Sequence, residues 1–232
     1  MEGSLKLKIL GIETSSPLFS LCVTDDETLI YEVIKNREMD AKTRDAEFFL
    51  EAQKIFRTFG GEIKVIVVSI GPGMFTSLRI GLSLAKALAF THDIPIVAVN
   101  TLDIIGIPLS FLQTPVLAAI NAYHQELYAA QYRNGERILD YMLTTATELN
   151  GLIQEQTLVV GSGVDLFKKV YPSGNAKFEL IEGGFNIPLA SNAVRLALPR
   201  ISAKEYDNPE TIEPFYIKKT DAERNYNKTH GT

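Results

Sequence analysis

Residues 65–90 decide the fold of this chain, and they read VIVVSIGPGMFTSLRIGLSLAKALAF. The first four are β-branched and show no polar alternation, which predicts a strand that is covered on both faces. Gly71, Pro72 and Gly73 then stop the strand, because glycine accepts positive φ and proline fixes its own φ. From Phe75 onward, apolar residues occur on nearly every side of a predicted helix, which indicates burial on more than one side. We therefore predict a strand, a sharp turn and a helix at the centre of the structure.

The glycine turn has two interpretations. Free backbone N–H groups at the positive end of a helix form an anion site, whereas a tight turn can also serve packing alone. The segment matches neither the phosphate loop G-x-x-x-x-G-K-[ST] nor the fingerprint G-x-G-x-x-G. We expect Thr76 or Ser77 to cap the helix. The sequence leaves both interpretations open.

Composition indicates an ordinary globular protein. The 232 residues are 46% hydrophobic and 22% charged, which suits one large domain or two lobes. A net charge of −5 disfavours a dedicated nucleic-acid binder, which needs a basic face. The single cysteine, Cys22, lies in an apolar stretch and is expected in the core. Because no apolar run reaches membrane-spanning length and the start lacks a signal-peptide core, we expect a cytoplasmic protein without membrane association.

The predicted elements repeat. The first hundred residues read β-β-β-α-β-α-β, with a first helix that ends at Gly60 and Gly61. Strands are predicted at residues 5–12, 19–24, 29–34, 65–68, 94–99, 116–120, 126–132, 138–143 and 158–160. Later helices are predicted at residues 147–156, 164–170 and 190–198. A strand, a glycine pair and a helix thus occur in both halves, the second time at Gly161 and Gly163.

This order resembles the two-lobed α/β fold of actin-like and Hsp70-like (ASKHA) proteins, in which each lobe is a mixed sheet with helices and nucleotide lies between the lobes. Fold alone does not fix function. We expect an N-terminal lobe over residues 1–102, a C-terminal lobe over 103–217 and a flexible tail over 218–232.

Three segments together resemble the TsaB (YeaZ) family. They are ILGIETSS at residues 9–16, GPGMFTSLRIG at 71–81 and PETIEPFYI at 209–217. The chain departs from the usual central motif at Met74, where the family has serine, and at Ser77, where it has glycine. Met74 removes a hydroxyl and adds bulk at the helix start, which disfavours phosphate contact there.

The resemblance implies a non-catalytic, activating subunit of the complex that transfers a threonylcarbamoyl group to the adenosine next to the anticodon in tRNA. Such a subunit pairs with the catalytic paralogue TsaD through helices of its N-terminal lobe, and it forms a homodimer through the same surface in isolation. The ATPase TsaE completes the set, and tRNA is contacted only indirectly. No cofactor of its own is expected, while ATP or ADP at the complex interface is consistent with the resemblance.

The two N-terminal-lobe helices carry more large apolar groups than one sheet face needs, so we expect them to bind a partner. The alternative is that both helices are merely core. Arginine at Leu78 or Leu82 is expected to abolish pairing and to leave the fold intact. The predicted interface consists of Phe49, Gln53, Phe56, Met74, Phe75, Leu78, Arg79, Leu82, Ala85 and Ala89.

An enzyme of the same fold, a small ATP-binding kinase or ATPase, is the main competing hypothesis. A vestigial nucleotide site would use Glu13, Thr14, Ser15, Gly71 and Gly73. The alternative is that Thr14, Ser15 and Ser16 form a hydrogen-bonded turn, because a divalent-metal site enlists several oxygen ligands and only one acidic residue is present here.

A metal site is not expected. Catalytic relatives hold a metal with two histidines, and the matching places here are Thr101 and Ile105, while His92, His124 and His230 are dispersed.

A homodimeric scaffold unrelated to tRNA is the third hypothesis for the function of this chain.

Overall fold

A computed structural model describes residues 7–36 and 41–217. Predictions for residues 1–6, for the polar stretch at 37–40 and for the tail at 218–232 lie outside these ranges. The chain folds into two five-stranded mixed sheets with helices against them. The predicted fold class is confirmed.

The first sheet contains β1 (Lys8–Glu13), β2 (Leu18–Asp25), β3 (Thr28–Asn36), β4 (Ile63–Ser69) and β5 (Ile96–Val99). Its order is β3-β2-β1-β4-β5. The first three strands are antiparallel, and β4 and β5 run parallel to β1. Helix α1 (Ala41–Phe59) precedes β4, and α2 (Phe75–His92) follows it. The predicted order β-β-β-α-β-α-β is therefore confirmed.

The second sheet contains β6 (Val116–Asn121), β7 (Glu126–Arg133), β8 (Glu136–Thr145), β9 (Thr157–Val160) and β10 (Phe178–Leu180). Its order, β8-β7-β6-β9-β10, repeats that of the first sheet. Four helices accompany it in the sequence: α3 (Thr101–Gly106), α4 (Ala146–Leu152), α5 (Val164–Val170) and α6 (Ala190–Ser202). The short elements α3 and β10 were not predicted.

Strand β4 is covered on both faces, as its unbroken apolar run predicts. Ile66 and Val68 join the cluster beneath α1 and α2, whereas Val65 and Val67 join a cluster with α6. Helix α6 thus follows the second sheet in the chain but packs on the first sheet. The predicted division of the chain at residue 103 stays a prediction.

The segment formed by residues 207–217, here called the C-terminal segment, returns to the first sheet. The backbone N–H of Asp207 donates to the carbonyl of Ile96 at 2.9 Å, and that of Phe215 to Ile70 at 2.7 Å. Tyr141 of β8 packs edge-on against Phe215, with ring centroids 5.3 Å apart. The segment therefore connects the two sheets. Among the described helices, none is both long and apolar enough to cross a bilayer.

Candidate functional site

The glycine turn locks the end of β1 to the start of α2. Gly71 has a φ of 101°, a conformation that favours glycine. A Cβ at Gly73 would overlap the backbone of Ser15, and the Met74 N–H donates to the Ser15 carbonyl at 2.8 Å. One backbone N–H group at the start of α2 is thus already hydrogen-bonded within the chain. These contacts favour the packing interpretation of the turn.

The predicted cap of α2 is wrong. The N-cap is Met74, whose side chain makes no capping hydrogen bond, and Ser77 lies buried within the helix. Helix α2 begins at Phe75, where the predicted helix begins, so Thr76 and Ser77 lie inside the helix and do not cap it.

The residues after β1 form a hydrogen-bonded turn. Glu13 is fully buried, and its Oε1 accepts from the Ser15 N–H at 2.5 Å. Ser16 Oγ donates to the Leu18 carbonyl at 2.9 Å and accepts from the Leu18 N–H at 3.2 Å. The Thr14 side chain occupies the space that a Cβ at Gly81 would need. The hydrogen bonds of this stretch are thus local, and the stretch meets α2 through the close packing of Thr14 on Gly81.

A cleft of about 200 Å³ lies between the lobes. Ser15, Gly73 and Met74 line it from the first lobe, and Asn121 and Tyr128 line it from the second. Every residue in its described lining is uncharged. Glu13, Thr14 and Gly71 do not line it, so this cleft brings together only two of the five predicted nucleotide residues, Ser15 and Gly73.

Metal-ligating residue types are dispersed in the described part of the chain, which contains no group of three or more His, Cys, Asp or Glu able to hold a metal. Thr101 and Ile105 both line the cleft. His92 packs against Phe56 with ring centroids 4.9 Å apart, and His124 is exposed in the β6–β7 turn. His230 lies outside the described residues.

Cys22 is a core residue, as predicted, and it is fully buried. Burial raises the pKa of its thiol far above the ordinary value, which disfavours the thiolate needed for thiol chemistry.

One side of α2 belongs to the core. Leu78, Leu82, Ala85 and Ala89 are between 0% and 4% exposed, and the last three join the cluster under the first sheet. The burial of Leu78, Ala85 and Ala89 disfavours their predicted place in a partner interface, because their side chains are already covered. Leu82 also lines a hollow beside the C-terminal segment. The burial of Leu78 and Leu82 also disfavours the expectation that arginine at either position leaves the fold intact, since the charge would be buried.

The other side of α2 forms an exposed apolar groove with α1. The groove has a volume of about 440 Å³. Phe49 of α1 is 47% exposed and Phe75 of α2 is 39% exposed, and both of these large apolar side chains line the same groove. We call this surface the α1–α2 groove, and it is lined by Phe49, Phe75, Thr76, Arg79, Ile80, Ser83, Leu84 and Ala87.

The groove contains three of the ten predicted interface residues, namely Phe49, Phe75 and Arg79. Gln53 is exposed elsewhere on α1, Phe56 is half-buried and Met74 lines the cleft. Three apolar residues of the groove, Ile80, Leu84 and Ala87, are absent from the predicted interface. Their spacing of four and three residues was a usable signal, because it marks a second stripe on α2.

Comparisons with known proteins agree with this fold. The family model "TsaD: tRNA N6-adenosine threonylcarbamoyltransferase" matches residues 57–226, well over half of the chain. This chain belongs to the TsaD family, in its TsaB (YeaZ) branch. The Escherichia coli "tRNA threonylcarbamoyladenosine biosynthesis protein TsaB" is 26% identical over 223 residues, covering 91% of this chain and 95% of that protein.

Another TsaB relative and a solved structure extend the agreement. The TsaB protein of Buchnera aphidicola from Acyrthosiphon pisum is 28% identical, with 95% of this chain and 92% of the relative covered. The structure of YeaZ from Pseudomonas aeruginosa superposes with a TM-score of 0.72 at 20% identity, covering 90% of this chain and 99% of that chain. The structural similarity shows the two-lobed fold.

Proposed function

We propose that this TsaB family member is an activating subunit of a tRNA threonylcarbamoyladenosine-forming complex, and that it works by heterodimerising with a catalytic TsaD subunit. The observation that carries the proposal is the α1–α2 groove, an exposed apolar surface on two helices of the first lobe. The names of its curated relatives point to the same biosynthetic process.

The groove suits a helical partner. An apolar helix pair whose sheet-facing side is already packed buries its outer side best against a similar pair. The match of this chain to the TsaD family model supports a partner of related shape, so that two first-lobe helix pairs meet in a four-helix interface. A homodimer through the same surface is then the state of the isolated chain, in competition with the heterodimer.

Activation follows from differential binding. A subunit that binds the transfer-competent conformation of its partner more tightly than the idle one shifts the population toward the competent state. This role needs no reacting group on the activator. We propose that the partner binds the tRNA and catalyses the transfer, and that TsaE is a further component of the complex. Any ATP or ADP would bind at the complex interface, and the complex would work in the cytoplasm.

An ATP-binding enzyme is less well supported as a function. Glu13 is engaged by the Ser15 N–H, and the described cleft lining carries no charged side chain to bind phosphates or a metal. The discriminating observation would be ATP hydrolysis by this chain alone.

Threonylcarbamoyl transfer to tRNA, measured with purified components from one organism, tests the proposal. One reaction omits this chain, a second omits the TsaD subunit and a third contains this chain alone. The proposal expects transfer to stop in all three. Full transfer without this chain would refute it.

A further inference from the structure

A second hollow lies on α2 next to the groove. It has a volume of about 320 Å³ between α2 and the C-terminal segment. Arg79 and Ser83 line both this hollow and the α1–α2 groove, so the two concave surfaces are continuous. The full lining of the hollow is Arg79, Leu82, Ser83, Lys86, Ile212, Glu213, Pro214 and Tyr216.

Arg79 is held by the ring of Phe75 and the hydroxyl of Tyr216. Its guanidinium carbon lies 3.8 Å from the ring centroid of Phe75, and its Nε donates to the Tyr216 hydroxyl at 3.1 Å. Tyr216 in turn stacks on Phe75, with ring centroids 5.3 Å apart. A cation fixed in this way loses little side-chain entropy when it binds an anion. Its remaining guanidinium N–H groups are not used by these contacts.

The hollow is cationic at its junction with the groove. In residues 7–36 and 41–217, neither Arg79 nor Lys86 forms an ion pair. Glu213 lines the same hollow but lies beyond ion-pair distance of both, which leaves two cations and one carboxylate around it. A groove that is apolar along its length and cationic at one edge complements an apolar helix with an acidic side chain.

We propose that the partner-binding surface continues across α2 onto the C-terminal segment, and that an acidic side chain of the partner binds Arg79 and Lys86 in this hollow. The partner is the catalytic subunit of the proposed function, on which this inference rests. Tyr216 contributes by holding Arg79 in place, so it is a positioning residue of the interface.

Heterodimer affinity, measured by calorimetry at low and high salt, tests this surface. Arg79→Glu and Lys86→Glu are each expected to weaken binding about tenfold or more, because each places a like charge opposite the partner's carboxylate. Lys169→Glu, at an exposed lysine of α5 in the second lobe, is the matched charge reversal and is expected to change affinity less than about twofold. Salt should weaken binding of the unmodified chain more than that of Arg79→Glu.

Arg79→Lys separates charge from packing, because it keeps the cation and loses the Nε donor. Retention of most of the affinity supports the acidic partner group. A loss as large as that of Arg79→Glu, with unchanged salt dependence, overturns it in favour of packing alone. The melting temperature of every variant is measured first, so that unfolding is not mistaken for lost binding.

Failure of this inference differs from failure of the proposed function. One outcome would be that the unmodified chain binds the partner, that Phe75→Asp abolishes this binding and that Arg79→Glu leaves it intact. This outcome overturns only the proposed contact with an acidic side chain. Absence of binding by the unmodified chain overturns both proposals.

Discussion

In the first lobe β4 leads to Gly71, which has a φ of 101°, and in the second lobe β9 leads to Gly161, with a φ of 100°. A helix follows each glycine turn. Helix α2, however, has 18 residues, whereas α5 has 7. The helices that precede the two strands differ likewise, with 19 residues in α1 and 7 in α4.

The outer surfaces of these helices differ as well. The exposed positions of α5 include Asp165, Lys168 and Lys169, whereas α2 exposes Phe75 and Phe90. The backbone plan is thus duplicated and the surface chemistry is not. A long helix pair has enough surface for a core side and a partner side, and within residues 7–36 and 41–217 only the first lobe has such a pair.

The largest expected effect distinguishes the two sides of α2. Leu82→Arg should destabilise the fold by several kcal/mol, since an unpaired charge would lie among packed side chains. Ser83→Arg, one residue further and exposed, should leave stability nearly unchanged. Urea denaturation followed by circular dichroism measures both, and equal stability of the two variants would contradict the two-sided helix.

The next effect distinguishes the two lobes. Phe49→Asp or Phe75→Asp should weaken heterodimer affinity about a hundredfold, the size expected for a central aromatic anchor, while the fold persists. Leu152→Asp in α4 is the control, because Leu152 is 54% exposed on the corresponding helix of the second lobe. An equal loss from Leu152→Asp would show that the partner does not discriminate between the lobes.

Alanine substitution should destabilise the fold to different extents at Gly71, which follows β4, and at Gly161, which follows β9. Gly161→Ala is expected to destabilise by about 1–3 kcal/mol or more, because the φ is strained and the new Cβ would overlap the Ala119 carbonyl. Gly71→Ala has the same strain, but its nearest neighbour is the movable Leu78 side chain at 2.8 Å. Thermal denaturation should therefore rank Gly161→Ala as the more damaging change, and the reverse order would contradict this explanation.

The smallest expected effect is on the pH dependence of stability, and it concerns Glu51 of α1. Lys35 and Lys54 each donate to Glu51 at 2.9 Å, and hydrogen bonds to these two lysines lower the Glu51 pKa. A lowered folded-state pKa stabilises the protein above the unfolded-state pKa of about 4.5, and this stability is lost as the pH falls below it.

Glu51→Gln should therefore cost about 1 kcal/mol at pH 7 and less at pH 3. The pKa of Glu148, in the first turn of α4, is lowered mainly by hydrogen bonds from Thr144 and Thr145. Glutamine at position 148 can still accept these bonds, so Glu148→Gln should show a weaker pH dependence. Denaturation at both pH values measures the contrast, and a constant cost for Glu51→Gln would contradict the ion-pair explanation.

Much of the fold could be predicted from the sequence. The apolar run of β4, the glycine turns and the buried stripe of α1 at Phe48 and Ile55 specify elements by local pattern, and the structure contains them. The short elements α3 and β10 were missed because so few residues provide no period.

The candidate site was predicted only in part. Helix α2 is apolar on two sides, and periodicity alone does not say which side meets the sheet. For that reason the predicted partner surface includes Ala85 and Ala89, which are core residues, whereas Ile80 and Leu84 line the groove. The contact between Arg79 and Tyr216 joins residues 137 positions apart, and only the tertiary structure brings them together.

The most direct test of the central claim is the initial rate of threonylcarbamoyl transfer to tRNA as a function of the concentration of this chain. The comparison uses the unmodified chain, Phe75→Asp and Leu152→Asp with a fixed amount of the TsaD subunit. Our account predicts that the unmodified chain and Leu152→Asp activate equally, and that Phe75→Asp needs a far higher concentration. Equal activation by folded Phe75→Asp would contradict the claim that the first-lobe helix face carries the function.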